Sequence, residues 1–143
     1  MSEIICSEHA MEEKGASLAH QLVQNRSTPA IIYLHGDLGA GKTTLVRGAL
    51  RALGHQGLVK SPTFTLVETY SLPPYEVYHL DLYRISDPEE LDYIGVREFC
   101  NKQSICFIEW PELGKSMIPK ATIKISIEYH PQGRLLNTTI PDK

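Results

Sequence analysis

Apolar positions along the chain recur with two periods, and the switches between them mark out alternating helices and strands. Behind Ser7, which fits an N-cap, Met11, Gly15, Leu18 and Leu22 fall at helical spacing on one face. The stretch from Asn25 to Pro29 ends that first helix. Ala30-Ile-Ile-Tyr-Leu34 is then a short apolar run of the buried-strand kind. A glycine-rich turn follows from Gly36 to Gly41. After it Leu45, Ala49, Leu50 and Leu53 mark an amphipathic helix that stops at Gly54. The order is strand, glycine loop, helix.

Two strands are predicted next, over Thr63–Tyr70 and Glu76–Leu82, joined by Ser71-Leu-Pro-Pro74. In the first, Thr65, Val67 and Thr69 share one face, opposite Phe64, Leu66 and Glu68. Asp87-Pro-Glu-Glu90 carries a helix start, with Asp87 as N-cap, Pro88 at N1 and Glu90 reaching back from N3. Gly95 interrupts or ends that short helix. Ser104–Ile108 is a second buried run and leads into Glu109-Trp110-Pro111. Ile123, Ile125, Ile127 and Tyr129 alternate, as a strand with one wet face does, and Pro131-Gln-Gly133 turns it into a last strand near Leu135–Ile140. The pattern is α/β, with a mixed rather than a purely parallel sheet.

Composition narrows this picture by exclusion. At 143 residues, without an internal repeat or low-complexity tract, the chain is expected to be one domain spanning residues 1–143. No apolar run approaches the roughly 20 residues that span a bilayer, so no membrane segment is expected. The start, Met1 to Gly15, has neither a basic nor an apolar targeting region, so no secretory signal is expected either. Three cysteines without a C-x-x-C disfavour a disulfide scaffold and suit a reducing cytoplasm. A net charge of −3 disfavours a stand-alone binder of DNA or RNA.

Candidate chemistry centres on Gly36-Asp37-Leu38-Gly39-Ala40-Gly41-Lys42-Thr43, which satisfies G-x-x-x-x-G-K-[ST] in its required context between a strand and a helix. The glycines let the backbone wrap a polyphosphate, and the helix start adds its positive end. Lys42 is expected to reach the β- and γ-phosphates, and the Thr43 hydroxyl to ligate Mg²⁺. The motif makes the expected fold a P-loop NTPase-like three-layer arrangement. Asp81 and Glu109 each close an apolar strand, where ligands gather in open α/β sheets, and so are candidates for the metal and for hydrolysis. A salt bridge to Arg84 is the competing role for Asp81. Thr63, in Ser61-Pro-Thr63, sits where P-loop proteins carry a loop that senses the γ-phosphate, or else simply starts a strand. His79 fits strand alternation better than a metal site, Trp110 shields the site or packs, and Arg47 and Arg51 suit solvent or an acidic partner or RNA. Asn101-Lys-Gln-Ser104 lacks the aspartate that reads guanine, which favours ATP.

These residues taken together resemble the TsaE (YjeE) family of small bacterial ATPases. The signatures are Gly36-Asp-Leu-Gly-Ala-Gly-Lys-Thr-Thr44, Ser61-Pro-Thr-Phe-Thr-Leu66, His79-Leu-Asp-Leu-Tyr-Arg84, Asp87-Pro-Glu-Glu-Leu91 and Ile108-Glu-Trp-Pro111. The resemblance implies an ATP- and Mg²⁺-binding protein that takes part in forming N6-threonylcarbamoyladenosine beside the anticodon of tRNAs reading codons that begin with A. It implies a TsaB–TsaD heterodimer as partner, which carries the transfer chemistry and through which tRNA is met indirectly. By the same pattern Lys42 and Thr43 hold phosphate and Mg²⁺, Thr44 completes the loop, and Thr63 belongs to a switch-like loop. Asp81 and Glu109 serve metal and hydrolysis, and Arg134 is a late nucleotide contact. Where family members carry a Thr near the adenine, this chain has Met11. The competing readings are a small-molecule kinase, which needs an acceptor pocket and a lid with arginines, and a nucleotide-gated binding module.

Overall fold

The structure, a computed structural model, describes residues 1–101 and 103–141. Among these, strands and helices follow in the order β1 (Ser2–Ile5), α1 (Glu8–Gln24), β2 (Ala30–His35), α2 (Lys42–Ala52), β3 (Val67–Leu72) and β4 (Tyr75–Asp81). The chain continues through α3 (Glu90–Tyr93), α4 (Val96–Phe99), β5 (Ser104–Glu109), β6 (Ile123–His130) and β7 (Gly133–Thr139). All the strands join one sheet in the order β1-β7-β6-β2-β5-β4-β3. Its centre, β6-β2-β5-β4, is parallel; β7 and β1 at one edge and β3 at the other run antiparallel to their neighbours. The sheet is therefore mixed, as the sequence pattern predicts.

Side-chain alternation divides the core into two halves. Ile32, Leu34, Val77, Ile105 and Phe107 face α1 and α2, while Ile31, Leu80, Cys106 and Ile108 face Leu91, Val96 and Ile118 on the other side. Helices thus cover both faces, and the fold has three layers. Helix α1 starts at Ser7, whose hydroxyl accepts from the Ala10 N–H at 3.0 Å, and it buries Met11, Gly15, Leu18, Ala19 and Leu22. It lies directly on α2. A Cβ on Gly15 would stand 1.9 Å from the Leu45 carbonyl oxygen, and one on Gly48 would stand 2.0 Å from that of Glu12. Only glycine permits this approach of two backbones.

Three boundaries differ from expectation. The strand expected from Thr63 begins at Val67, because residues 63–66 form a turn in which the Leu66 N–H donates to the Pro62 carbonyl at 2.9 Å. Strand β1 is an addition; it pairs with β7, Ser2 opposite Asn137 and Ile5 opposite Arg134. The helix start at Asp87 is present as side-chain bonds. Glu89 N–H donates to Asp87 Oδ1 at 3.0 Å, and Asp87 N–H to Glu90 Oε2 at 3.2 Å, while α3 proper begins at Glu90 and Gly95 separates it from α4. Among the described residues no helix is long and apolar enough to cross a membrane.

Candidate active site

The parallel strands deliver their C-terminal ends to one rim of the sheet, and the chemistry-bearing residues collect there. After β2 the chain turns through Gly36–Gly41 and enters α2 at Lys42. Gly39 at φ +79° and Gly41 at φ +115° adopt a backbone that favours glycine, and a Cβ on Gly41 would meet Met11 Cε at 3.1 Å. The loop is braced from β6 and β7. Tyr129 Oη donates to the Leu38 carbonyl at 2.7 Å, and Arg134 Nε to that of Ala40 at 3.1 Å, with the guanidinium 4.5 Å from the Tyr129 ring. No side chain caps the start of α2. Its first N–H groups, without intrahelical partners, and its positive end form an anion site.

On β4 and β5, residues 77, 79, 81 and 105, 107, 109 share the face toward α2 by simple alternation. That parity brings Asp81 and Glu109 side by side, paired in the β4–β5 register. Lys42, Asp81 and Glu109 are each 4% exposed. Lys42 Nζ donates to the Gly36 carbonyl at 2.5 Å, stands 3.9 Å from Glu109 Oε1 and lies 4.2 Å from the centre of the Trp110 ring. Burial pushes the Lys42 ammonium below the usual lysine range, against the pull of Glu109, Asp81, Glu112 and Asp37, which favour its charge. Thr43 Oγ1 donates to Glu109 Oε2 at 3.3 Å. Asp81 accepts from the Tyr83 N–H at 3.0 Å and from Thr63 Oγ1 at 3.2 Å, and Ser61 Oγ lies 2.8 Å from that Thr63 hydroxyl. Its oxygens therefore serve the rim of the site. Arg84, the competing partner, stacks on Phe64 at 4.4 Å instead.

Two cavities of about 290 Å³ each flank the loop. One is lined by Lys42, Thr43, Thr44, Thr63, Asp81 and Glu109. The other lies between the loop, the start of α1 and the β6–β7 turn, against Cys6, Ser7, Glu8, Met11, Ala40 and Arg134. Of the nucleotide- and metal-site residues expected from sequence, Gly36 and Asp37 line neither cavity; the Asp37 carbonyl accepts from the Ala40 N–H at 3.0 Å and shapes the turn. Gly36 serves through its carbonyl on Lys42. Sequence reasoning read Ser7 only as a helix cap and passed over Cys6 and Glu8, and it set aside Met11 and His79, both of which border the site. Trp110 leaves β5 in a left-handed turn, φ +55°, which swings its ring over Lys42, so that it shields the ammonium.

The profile of the family described as threonylcarbamoyl adenosine biosynthesis protein TsaE matches residues 6–136. A tRNA threonylcarbamoyladenosine biosynthesis protein TsaE from Haemophilus influenzae is 48% identical over 135 residues, which cover 94% of this chain and 85% of that protein. A protein of the same description from Rickettsia felis is 36% identical over 130 residues, 90% of this chain and 75% of its own. The crystal structure of YdiB from Bacillus subtilis aligns with a TM-score of 0.76 at 24% identity, over 99% of this chain and 86% of that one, which is a likeness of fold. The matched residues run from the start of the second cavity through the glycine loop, Asp81 and Glu109 to Arg134, and the chain belongs to the TsaE family.

Proposed function

We propose that this protein binds ATP with Mg²⁺ and hydrolyses it as an accessory of N6-threonylcarbamoyladenosine formation on tRNAs that read codons beginning with A. In this reading it works in the cytoplasm with a TsaB–TsaD heterodimer and meets tRNA through that complex. Membership of the family supplies the threonylcarbamoyladenosine role. The nucleotide chemistry rests on one observation: Lys42, Thr43, Asp81 and Glu109 converge on a single cavity at the uncapped start of α2.

That set of groups suits a magnesium nucleotide. Among the described residues no three His, Cys, Asp or Glu gather at one point, so the side chains alone do not cage a cation. A hydroxyl and one or two carboxylates, completed by phosphate oxygens and water, are the usual surroundings of Mg²⁺ beside a nucleotide. Thr43 with Asp81 or Glu109 would hold it, and bound there it would offset the charge of the phosphates. Lys42 would neutralise the β- and γ-phosphates, with Trp110 keeping water from its flank. Arg134, fixed on the loop carbonyls beside the second cavity, would keep the loop open to the nucleotide. The kinase alternative finds no support in the larger cavity of about 640 Å³. It lies beside Pro29 and Ile123, at the far end of β2 from Gly36, about 20 Å away along a six-residue strand.

Mass analysis of tRNA nucleosides after depletion of the protein tests the proposal. Loss of threonylcarbamoyladenosine is expected. An unchanged nucleoside profile with a phosphorylated metabolite missing would overturn it.

A further inference from the structure

His79 occupies a place that packing alone would give to a leucine or a phenylalanine. It is fully buried on β4, opposite Glu68 on β3 and Phe107 on β5, between apolar Val77 and the buried Asp81 on the same face of the strand. Its Nδ1 is buried and has no hydrogen-bond partner among the described residues. A polar atom left unpaired in a core is an expense that a hydrocarbon side chain avoids, so its presence asks for a reason in the other nitrogen. Nε2 lies 2.5 Å from Glu109 Oε2. A carboxylate oxygen accepts and does not donate, so Nε2 carries a proton.

The remaining contacts of Glu109 show what that bond does. Oε2 also receives the Thr43 hydroxyl, but at 3.3 Å, and Thr43 is itself a candidate for the cation. Among the described residues Oε1 receives no hydrogen bond, and Lys42 Nζ stands 3.9 Å from it, beyond hydrogen-bond range. We infer that His79 is a positioning residue: its Nε2–H anchors Oε2 of Glu109, fixes the carboxylate in one orientation and leaves Oε1 as the oxygen that acts on the nucleotide side. The inference rests on the ATPase reading and adds a residue that reading does not use.

Variants of the full chain separate this role from packing. His79→Leu fills the space without an N–H; His79→Gln sets an amide N–H near the place of Nε2. Phosphate release in a single turnover is expected to fall about ten- to a hundredfold in His79→Leu and to recover in large part in His79→Gln. The dissociation constant of a fluorescent ATP analogue and the melting temperature should stay at the parent's values. A His79→Leu protein that turns over like the parent, or one that melts well below it, overturns the proposal, as does a His79→Gln protein as slow as His79→Leu. A separate readout needs no turnover: a two-bond ¹H–¹⁵N spectrum of the parent should show the ring proton of His79 on Nε2. A proton on Nδ1 alone would overturn the assignment. If the parent binds the analogue yet releases no phosphate, the ATPase reading fails, and the spectrum decides the case of His79.

Discussion

Lys42 holds an ammonium that is nearly out of water, with a backbone carbonyl at 2.5 Å and a carboxylate at 3.9 Å to compensate it. In the proposed reading that charge meets the nucleotide's phosphates. Lys42→Ala is therefore expected to weaken binding of a fluorescent ATP analogue by about 1.5–3 kcal/mol, the usual worth of a charge-assisted contact. Equal affinity in the two proteins would make the glycine loop a decoy. The carboxylates call for a different experiment. Glu109→Gln and Asp81→Asn preserve shape and nearly all volume, so melting temperatures should move little while phosphate release falls steeply. A variant that melts early and keeps its specific activity would mark its residue as structural. Asp81 and Glu109 were legible in the sequence because each ends an apolar strand, and strand ends in such sheets point to ligands. His79 was not, since its place in an alternating strand accounts for it without chemistry; only the distance to Glu109 and the unpaired Nδ1 reveal a second role.

At the scale of elements, the glycine loop leads into α2, and α2 is locked against α1. The lock is steric. Gly48→Ala would gain about 1 kcal/mol in helix propensity, yet its Cβ would stand 2.0 Å from the Glu12 carbonyl oxygen, and backbone does not move aside as a side chain does. Overpacking of this kind costs about 1–3 kcal/mol, and the helices have to part. A lower urea midpoint and weaker nucleotide binding together are expected for Gly48→Ala, whereas Ser17→Ala, on the exposed face of α1, should stay within about 0.5 kcal/mol of the parent. Stability unchanged in Gly48→Ala would show that the helices separate freely. The helical pair was legible from periodicity, and the inner strands β2 and β5 from their short apolar runs. Strand β1 was not: of its four residues only Ile5 is buried, and its pairing comes from β7 at the opposite end of the chain. The turn at residues 63–66 was hidden by strand-forming residues. Tertiary demand wins there, for Thr63 turns to Asp81 and Phe64 is left 82% exposed.

For the molecule as a whole, the question is whether this site is complete. Among the described residues lining the cavity beside Asp81 and Glu109, Lys42 is the one cation. Arg134 is committed to the Ala40 carbonyl on the other side of the loop, and Arg84 to the Phe64 ring. Hydrolysis at a P-loop draws on a further positive group at the γ-phosphate, and an arginine supplied by a partner is worth about 10³–10⁵ in rate. Apolar side chains stand out around the cavity: Leu38 is 59% exposed in the loop, and Phe64 is exposed beside Thr63. A partner that covered the Ser61–Thr63 loop would also exclude water and so strengthen every charge interaction within. The isolated protein is thus expected to release phosphate slowly, and to do so markedly faster with a TsaB–TsaD heterodimer, with tRNA added where needed. Steady-state phosphate release at fixed ATP and Mg²⁺, without and then with the heterodimer, measures this directly. Acceleration would also explain how an acidic chain with a net charge of −3 serves a tRNA modification without holding RNA itself. A fast rate in isolation, unmoved by the heterodimer, would mean that the site is already complete, and the accessory role would have to be abandoned.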